Sequence, residues 1–177
     1  MSDTSDTAVD AEEAAPTPPP ERYGVLADES GERLVLHPTR DQWLDLARAL
    51  LADGFTMGLD LTAVDYLTYK GNRPLPEGVA GERFEVVAAF ADIEGNRRLW
   101  AKVQLPADDP AIASLTTFYP GLDFLEREVY DMFGIEFIDH PDLSRILMPE
   151  SWQGHPLRKD YAIGAIPVQF KGAPGAR

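Results

Sequence analysis

Two histidines and two aspartates near the C-terminal end of the chain have side chains that could bind a metal. These residues are His140, Asp142, His155 and Asp160. Imidazole nitrogens and carboxylate oxygens are common ligands of divalent metals, but the spacing of these four residues matches no ligand motif. Each histidine also precedes a proline, a position that is better explained by backbone shaping. A metal-dependent hydrolase is therefore a minor alternative, and we predict no metal site.

Three carboxylates just upstream could act as a general acid and a general base. Glu126, Glu128 and Asp131 lie within six residues of one another, and paired carboxylates can carry this chemistry. On a helix, however, such residues are more often solvated or salt-bridged, and Arg127 stands four residues before Asp131. An exposed pair of this kind contributes only about 0.3–0.5 kcal/mol. We therefore predict that these charges lie on a helix surface and that the chain has no catalytic residue.

The element that carries these carboxylates is a predicted amphipathic helix. Its apolar stripe consists of Leu122, Leu125, Val129, Met132 and Phe133. The spacing of the stripe predicts a helix that Gly134 ends. Beyond it, the steps His140-Pro141 and His155-Pro156 force extended backbone before each proline. The chain is thus predicted to follow a long, irregular and fixed path after the helix.

The remaining segments predict an α+β fold with an antiparallel or mixed sheet backed by helices. Strands are predicted at 22–27, 33–36, 55–66, 84–93 and 98–105, and helices at 39–54, 110–119 and 122–133. Thr39 is the predicted N-cap of the first helix and Gly54 its end. Residues 94–96 form a turn cluster that predicts an antiparallel hairpin. Because strands and helices do not alternate regularly, a parallel α/β fold is not favoured.

Length and composition divide the chain into one domain and two extensions. With 177 residues and 44% hydrophobic residues, a single domain at 21–161 can bury a core. Residues 1–20 contain five acids, four prolines and no Lys or Arg, which predicts a disordered acidic tail. Residues 162–177 are too apolar for a free tail and too broken by Gly and Pro for a helix. We interpret them as an extended arm that lies on a neighbour.

Charge and cysteine content exclude several classes of function. A net charge of −14 repels phosphate backbones and anionic lipid head groups, so direct binding to nucleic acid or to a membrane surface is not expected. The chain has no cysteine, which excludes disulfides and cysteine-ligated iron–sulfur clusters. No stretch has the apolar length of a membrane span or of a signal peptide. We therefore expect any membrane attachment to come through a partner.

The segment from residue 126 to residue 161 resembles the signature of the thirty-kilodalton subunit family of respiratory complex I, also called the C subunit family. The signature residues are Glu126, Arg127, Glu128, Asp131, Phe133, Gly134, His140, Pro141, Arg145, Gly154, His155, Pro156, Arg158, Lys159, Asp160 and Tyr161. The match covers about a fifth of the chain. Phe124 departs from the family, which has a tryptophan at this position.

The resemblance implies a cofactor-free structural and assembly subunit. Such a subunit belongs to the quinone module in the peripheral arm of a proton-translocating NADH:quinone oxidoreductase. Its hetero-oligomeric partners are other complex I subunits, above all the D subunit, to which this family is fused in some bacteria. FMN and iron–sulfur clusters are expected in other subunits, and the implied location is peripheral, on the cytoplasmic side of the cell membrane. The signature residues are interpreted as subunit contacts or as contacts within the same segment.

The same resemblance leaves one close alternative open. Related complexes take electrons from a deazaflavin cofactor or couple to a membrane-bound hydrogenase, and they contain an equivalent subunit. Since this subunit would touch neither the electron donor nor the clusters, its sequence does not distinguish these complexes.

Overall fold

The computed structural model describes residues 20–30 and 33–162, which form a sheet, a smaller strand pair and two α-helices. The strands are β1 Glu21–Arg22, β2 Val25–Ser30, β3 Arg33–His37, β4 Met57–Asp65, β5 Phe84–Asp92, β6 Arg97–Leu105, β7 Ala111–Ala113 and β8 Glu136–Ile138; the helices are α1 Trp43–Ala52 and α2 Asp123–Phe133. A short 3₁₀ turn, Pro120–Leu122, leads into α2. The predicted α+β class is confirmed.

The main sheet has six strands in the order β1-β2-β3-β6-β5-β4. It contains the antiparallel hairpin of β5 and β6 that the turn cluster at residues 94–96 predicted. Strands β3 and β6 run parallel, whereas the other neighbours are antiparallel. The sheet is therefore mixed.

One face of this sheet, called the inner face, holds the core. Alternate residues of β6 are buried there, and α1 covers them with the apolar side chains of Trp43, Leu46, Ala47 and Leu50. Tyr119 packs on Phe90 with a distance of 4.9 Å between ring centroids. Its hydroxyl donates a hydrogen bond to the carbonyl of Phe55 at 3.0 Å. The inner face thus joins α1, the sheet and the approach to α2 in one core.

The helix predicted at residues 110–119 is not formed, and this prediction is wrong. Residues 111–113 are strand β7, which pairs in parallel with β8. Ile112 and Leu115 are fully buried and Tyr119 nearly so, and their spacings of three and four imitate a helical stripe. Pairing Ile112 with Phe137 buries both side chains in a strand register that the local sequence does not reveal.

The first helix starts later than predicted. Helix α1 begins at Trp43, and Gln42 rather than Thr39 occupies the N-cap position. Thr39 instead closes a turn with Gln42, whose side-chain Oε1 accepts a hydrogen bond from the Thr39 amide at 2.9 Å. A threonine before a helical stripe can therefore fix the preceding turn and leave the helix itself uncapped.

Two predicted extensions lie outside the described residues. Apart from Pro20 and Ala162, this is true of the tail at 1–20 and of the arm at 162–177, which remain predictions. Within the described part of the chain, neither helix has the length and apolar character needed to cross a membrane.

Candidate functional site

Helix α2 ends at a glycine that the local geometry requires. Gly134 has a φ of 68°, in the left-handed region, and its N–H donates to the carbonyl of Tyr130 at 2.8 Å. A Cβ atom at this position would lie 2.5 Å from Cδ2 of His155. Both backbone strain and this contact therefore disfavour any other residue.

The irregular segment after β8 caps the end of α2. The last carbonyls of a helix have no partner within the helix, and here residues 155–158 donate to three of them. The bonds run from His155 Nδ1 to Asp131 O at 3.0 Å, from the Leu157 amide to Met132 O at 3.0 Å, and from Arg158 Nε to Phe133 O at 2.5 Å. The guanidinium of Arg158 also places positive charge at the negative end of the helix dipole. The two halves of the signature thus bind one another.

Asp131 is the centre of this arrangement. Its carboxylate is fully buried and accepts a hydrogen bond from Arg145 Nη1 at 2.5 Å. The other oxygen accepts three backbone N–H groups, from Ile146 at 3.1 Å and from Leu147 and Met148 at 2.8 Å each. One carboxylate therefore fixes four consecutive residues of an otherwise irregular segment.

The environment of Asp131 keeps it ionised. Burial alone would raise the pKa of this carboxyl, but the N–H groups of Met148, Leu147 and Ile146 and the Arg145 guanidinium together hold the pKa below its usual value. Hydrogen bonds to the charged form favour that form. The charge is thus compensated by groups that belong to the segment it holds.

A second buried carboxylate, Asp65 at the end of β4, holds the last part of the segment. It forms a two-pronged ion pair with Arg83, with distances of 3.1 and 2.9 Å, and accepts the Lys159 amide at 2.9 Å. Arg83 also pairs with Asp160 at 2.9 Å. Burial raises the pKa of Asp65, but Arg83 and the Lys159 amide lower it below its usual value. The signature residues Lys159 and Asp160 are thereby held against the sheet.

A third buried carboxylate lies in the first half of α2. Glu126 is fully buried, and its side chain accepts hydrogen bonds from Ser114 Oγ at 2.6 Å and from the Leu115 amide at 2.7 Å. The ring of His140 is also buried, with Nε2 3.9 Å from Glu126 Oε2. His140 Nδ1 accepts the Asp142 amide at 3.1 Å, which leaves the proton on Nε2.

Glu126 differs from Asp131 in its titration. Burial raises the pKa of Glu126 to about 7, and the hydrogen bonds from Ser114 and Leu115 reduce this effect without cancelling it. No arginine or lysine pairs with it among the described residues, although Arg127 is its neighbour in sequence. Glu126 is therefore partly protonated near neutral pH.

The prediction that all four charges occupy the surface of α2 is wrong in part. Glu128 is exposed, as predicted, but Glu126 and Asp131 are fully buried. The predicted pair of Arg127 and Asp131 does not form. Arg127 instead donates to the carbonyl of Ser144 at 3.2 Å and to its hydroxyl at 3.0 Å. The cause is the downstream segment, which supplies Asp131 with a guanidinium and three amides that a helix neighbour cannot match.

The remaining signature residues shape the same segment. Gly154 has a φ of 83°, and a Cβ atom there would lie 2.7 Å from Cε2 of Tyr161. Its carbonyl accepts a hydrogen bond from Arg145 at 3.1 Å. Pro156 is half-buried and Pro141 is exposed. The structure thus brings most of the signature together around the end of α2 and the end of β4.

The four residues considered as metal ligands are not brought together. His140 lies beside the start of α2 and His155 beside its end, where each ring contacts a helix carbonyl, while Asp160 pairs with Arg83. In residues 20–30 and 33–162, no group of three or more His, Asp or Glu side chains is arranged to hold a metal ion.

Sequence reasoning missed Asp65, Arg83 and Ser114. Leu61, Ala63 and Asp65 alternate along β4 and are all buried, so the strand period could have indicated an acid on the core side. A lone acid at such a position needs a basic partner. Nothing in the local sequence points to Arg83 or to Ser114, because both contacts depend on packing between distant elements.

Comparison with known proteins connects this arrangement to a family. Residues 36–166 match the family model described as respiratory-chain NADH dehydrogenase, 30 Kd subunit. NADH-quinone oxidoreductase subunit 5 of Thermus thermophilus is 43% identical over 125 residues, covering 68% of this chain and 57% of the relative. The NADH-quinone oxidoreductase C subunit of Streptomyces coelicolor is 39% identical over 160 residues, covering 86% and 61%. The chain thus spans about three fifths of the length of these curated relatives.

Solved structures share the fold. The trypsin-resistant fragment (1–134) of Nqo5 aligns with a TM-score of 0.59 and 33% identity, covering 68% of this chain and 90% of that chain. A chain of the membrane-bound sulfane sulfur reductase, an archaeal respiratory membrane complex, aligns with the same TM-score and 23% identity, covering 78% of each chain. At that identity the second likeness concerns the fold alone.

Proposed function

This chain belongs to the family of respiratory-chain NADH dehydrogenase 30 Kd subunits, and we propose that it is a structural and assembly subunit of an ion-translocating NADH:quinone oxidoreductase. In this role it transfers no electrons itself. It lies in the peripheral arm, in the quinone module, and contributes to the oxidation of NADH by quinone through the assembly that it holds together.

The observation that carries the proposal is the way in which residues 145–161 are fixed. Asp131, Asp65 and the end of α2 hold the segment by its backbone and its charged groups. Met148 packs against the core, whereas three other apolar side chains of the segment face outward. Ile146, Leu147 and Leu157 are 37%, 59% and 48% exposed. Ordered, irregular backbone with outward apolar side chains suits a contact with another protein better than a solvated loop. We call residues 145–161 the contact segment.

The redox groups are assigned to other subunits. The 177 residues contain no cysteine to ligate an iron–sulfur cluster. The carboxylates of Glu126 and Asp131 accept hydrogen bonds from groups inside the fold, which supports a structural role for them. FMN and the clusters are therefore proposed in partner subunits.

The proposed first partner of the contact segment is the D subunit of the quinone module. The names of the similar proteins place them in quinone-reducing enzymes of several subunits. Membrane association through such partners, on the cytoplasmic side, is consistent with an acidic chain that does not itself favour anionic lipid. Hetero-oligomer formation follows from the same proposal.

The test is purification of the chain from its own cells in mild detergent, with mass spectrometry and an NADH:quinone activity assay. We expect a cluster-containing membrane complex with this activity. Recovery with the electron-input proteins of a deazaflavin-dependent or hydrogenase complex would instead assign the chain to the alternative complexes. Recovery of the chain alone would contradict the proposal.

A matched pair of variants tests the contact segment itself. Leu147→Asp places a charge in the proposed interface, and we expect at least a tenfold loss of the chain from the complex. Leu59→Asp, on β4, is the control, because Leu59 is similarly exposed at 41% but lies outside the segment. Equal recovery of the two variants would contradict the role of the segment.

A further inference from the structure

The face of the sheet opposite the core, called the outer face, is covered by no helix among the described residues. Val35, Ala89 and Ala91 are buried but do not join the core cluster that α1 and α2 share with the inner face. The loop between β4 and β5 covers one end of the outer face only, where Arg73 reaches Gln104 and Glu85 at 2.5 and 3.0 Å. The rest of the outer face has no occupant in the described chain.

The centre of the outer face is a stripe of alternating basic and aromatic residues on β6. Arg98, Trp100 and Lys102 lie two residues apart and therefore point to the same face. Arg33 on the neighbouring strand lies over the indole of Trp100, with 5.1 Å from its guanidinium carbon to the ring centroid. Positive charge thus flanks one half-buried aromatic ring.

Small residues lie beside the stripe on the neighbouring strand β5. Ala89 pairs with Trp100 and Ala91 pairs with Arg98 across the hairpin. The Ala89 and Ala91 methyl groups are only 8% and 1% exposed, so the half-buried indole of Trp100, rather than these methyl groups, offers apolar surface here. A flat, partly apolar sheet surface of this kind is suited to cover by a further layer.

The charge of the stripe is unusual for this chain. The whole sequence carries a net charge of −14, yet the stripe is basic. Within the part of the chain that the structure describes, neither Arg98 nor Lys102 lies in an ion pair, whereas Arg73 and Arg83 do. Of the acids on the outer face, Asp28 on β2 and Asp60 on β4 each lie two strands from β6, and Glu85 on β5 is already paired with Arg73 at 3.0 Å.

We infer that the outer face binds an acidic segment of a neighbouring protein of the complex, in which carboxylates meet Arg98 and Lys102 on either side of an apolar side chain packed against Trp100. This inference rests on the proposed function, since it takes the occupant to be part of the same assembly. The two cations stand about 13 Å apart along the strand, which sets the spacing of the partner's carboxylates. Complementary charge of this kind favours correct docking and a fast encounter.

Carbodiimide cross-linking of the assembled complex tests the inference directly. The reagent joins an amine to a carboxylate only when the two are in contact, so the Lys102 amine reports what covers it. We expect mass spectrometry to find Lys102 linked to an Asp or Glu of another protein of the complex. A link to residues 1–19 of this chain, a link to a second copy, or an unmodified Lys102 while other lysines react would overturn the inference.

A charge-reversal variant supplies the second measurement. With Arg98→Glu and Lys102→Glu combined, we expect at least a tenfold loss of the chain from the complex at physiological salt. Arg48→Glu is the control, because Arg48 is exposed on α1, away from the outer face, and its ion pair with Asp45 is exposed as well. Thermal unfolding of the purified variants separates a binding defect from a folding defect, and normal recovery of a folded double variant would contradict the inference.

The outcomes separate this inference from the proposed function. Absence of the wild-type chain from any NADH:quinone-reducing complex removes the proposed function. Presence of the chain in that complex, with Lys102 unlinked to the other proteins, removes only the role of the outer face.

Discussion

The two helices of this protein bury different kinds of side chain. Helix α1 buries Trp43, Leu46, Ala47 and Leu50 and leaves its charges in solvent. Helix α2 buries Val129, Met132 and Phe133 but also the carboxylates of Glu126 and Asp131. The first helix serves the core alone, whereas the second also organises the chain that follows it.

The difference shows where a buried charge is tolerated. An unpaired charge in the interior is strongly unfavourable, so each acid of α2 needs a dedicated environment. Asp131 has a guanidinium and three amides, all from residues 145–148. Glu126 has a hydroxyl and one amide and no cation among the described residues. Asp131, whose charge is fully compensated, holds the contact segment in place. Glu126, whose charge is not, binds a proton more readily.

The largest effect is expected from Asp131→Ala. Removing this carboxylate leaves Arg145 and three amides without their partner, and loss of one partner of a buried pair lowers the free energy of unfolding by roughly 3–5 kcal/mol. Urea unfolding measures the loss, and hydrogen exchange should show residues 145–148 unprotected. Glu128→Ala is the control, because Glu128 is exposed on the same helix; an equally small change in both variants would refute the central role of Asp131.

A core substitution in α1 should lower stability by a comparable but smaller amount and in a different way. Leu50 is fully buried, and we expect Leu50→Ala to lower the free energy of unfolding by roughly 3 kcal/mol through lost burial and a cavity. Leu50 lies on α1, away from the contact segment. The amides of residues 146–148 should therefore stay protected from hydrogen exchange until the whole protein unfolds. Selective loss of hydrogen-exchange protection at those amides would contradict the proposed difference between the two helices.

The pH dependence of stability should depend on Glu126. Its pKa in the folded protein is about 7, above the unfolded value, so the folded state binds the proton more tightly. Ionisation therefore lowers stability as pH rises from about 4.5 to 7, by roughly 2–3 kcal/mol. Glu126→Gln should remove this contribution, and the difference in unfolding free energy between the two proteins at several pH values measures it. A pH-independent difference would contradict the raised pKa.

The smallest effect is expected at the surface of α1. Arg48 and Asp45 form an exposed i, i+3 pair with a distance of 2.6 Å. Exposed pairs of this type contribute little because solvent screens them. Arg48→Ala should change the unfolding free energy by less than about 0.5 kcal/mol in urea unfolding. A change above roughly 1 kcal/mol would show that exposed charges matter here as much as buried ones.

Elements with strong local signals were predictable from the sequence. The hairpin of β5 and β6 and the end of α2 at Gly134 are confirmed, because the turn cluster and the glycine act within a few residues. The helix predicted at 110–119 failed because β7 pairs with β8, whose partner residues lie 25 positions away. Periodicity does not distinguish these alternatives when a few apolar residues suit both.

The sequence by itself determined the α+β class, the apolar stripes of both helices and the presence of a signature between residues 126 and 161. Only the tertiary structure decided what the signature does. His155 and Arg158 cap α2, and the Asp131 carboxylate anchors Arg145 and the residues after it. Asp65 and Arg83 hold the last residues of the signature to the sheet. The physical reason is that the sequence of a helix does not distinguish an exposed acid from a buried acid whose partners lie elsewhere in the chain. Those partners come from segments 14 or more residues away, and folding alone brings them into contact.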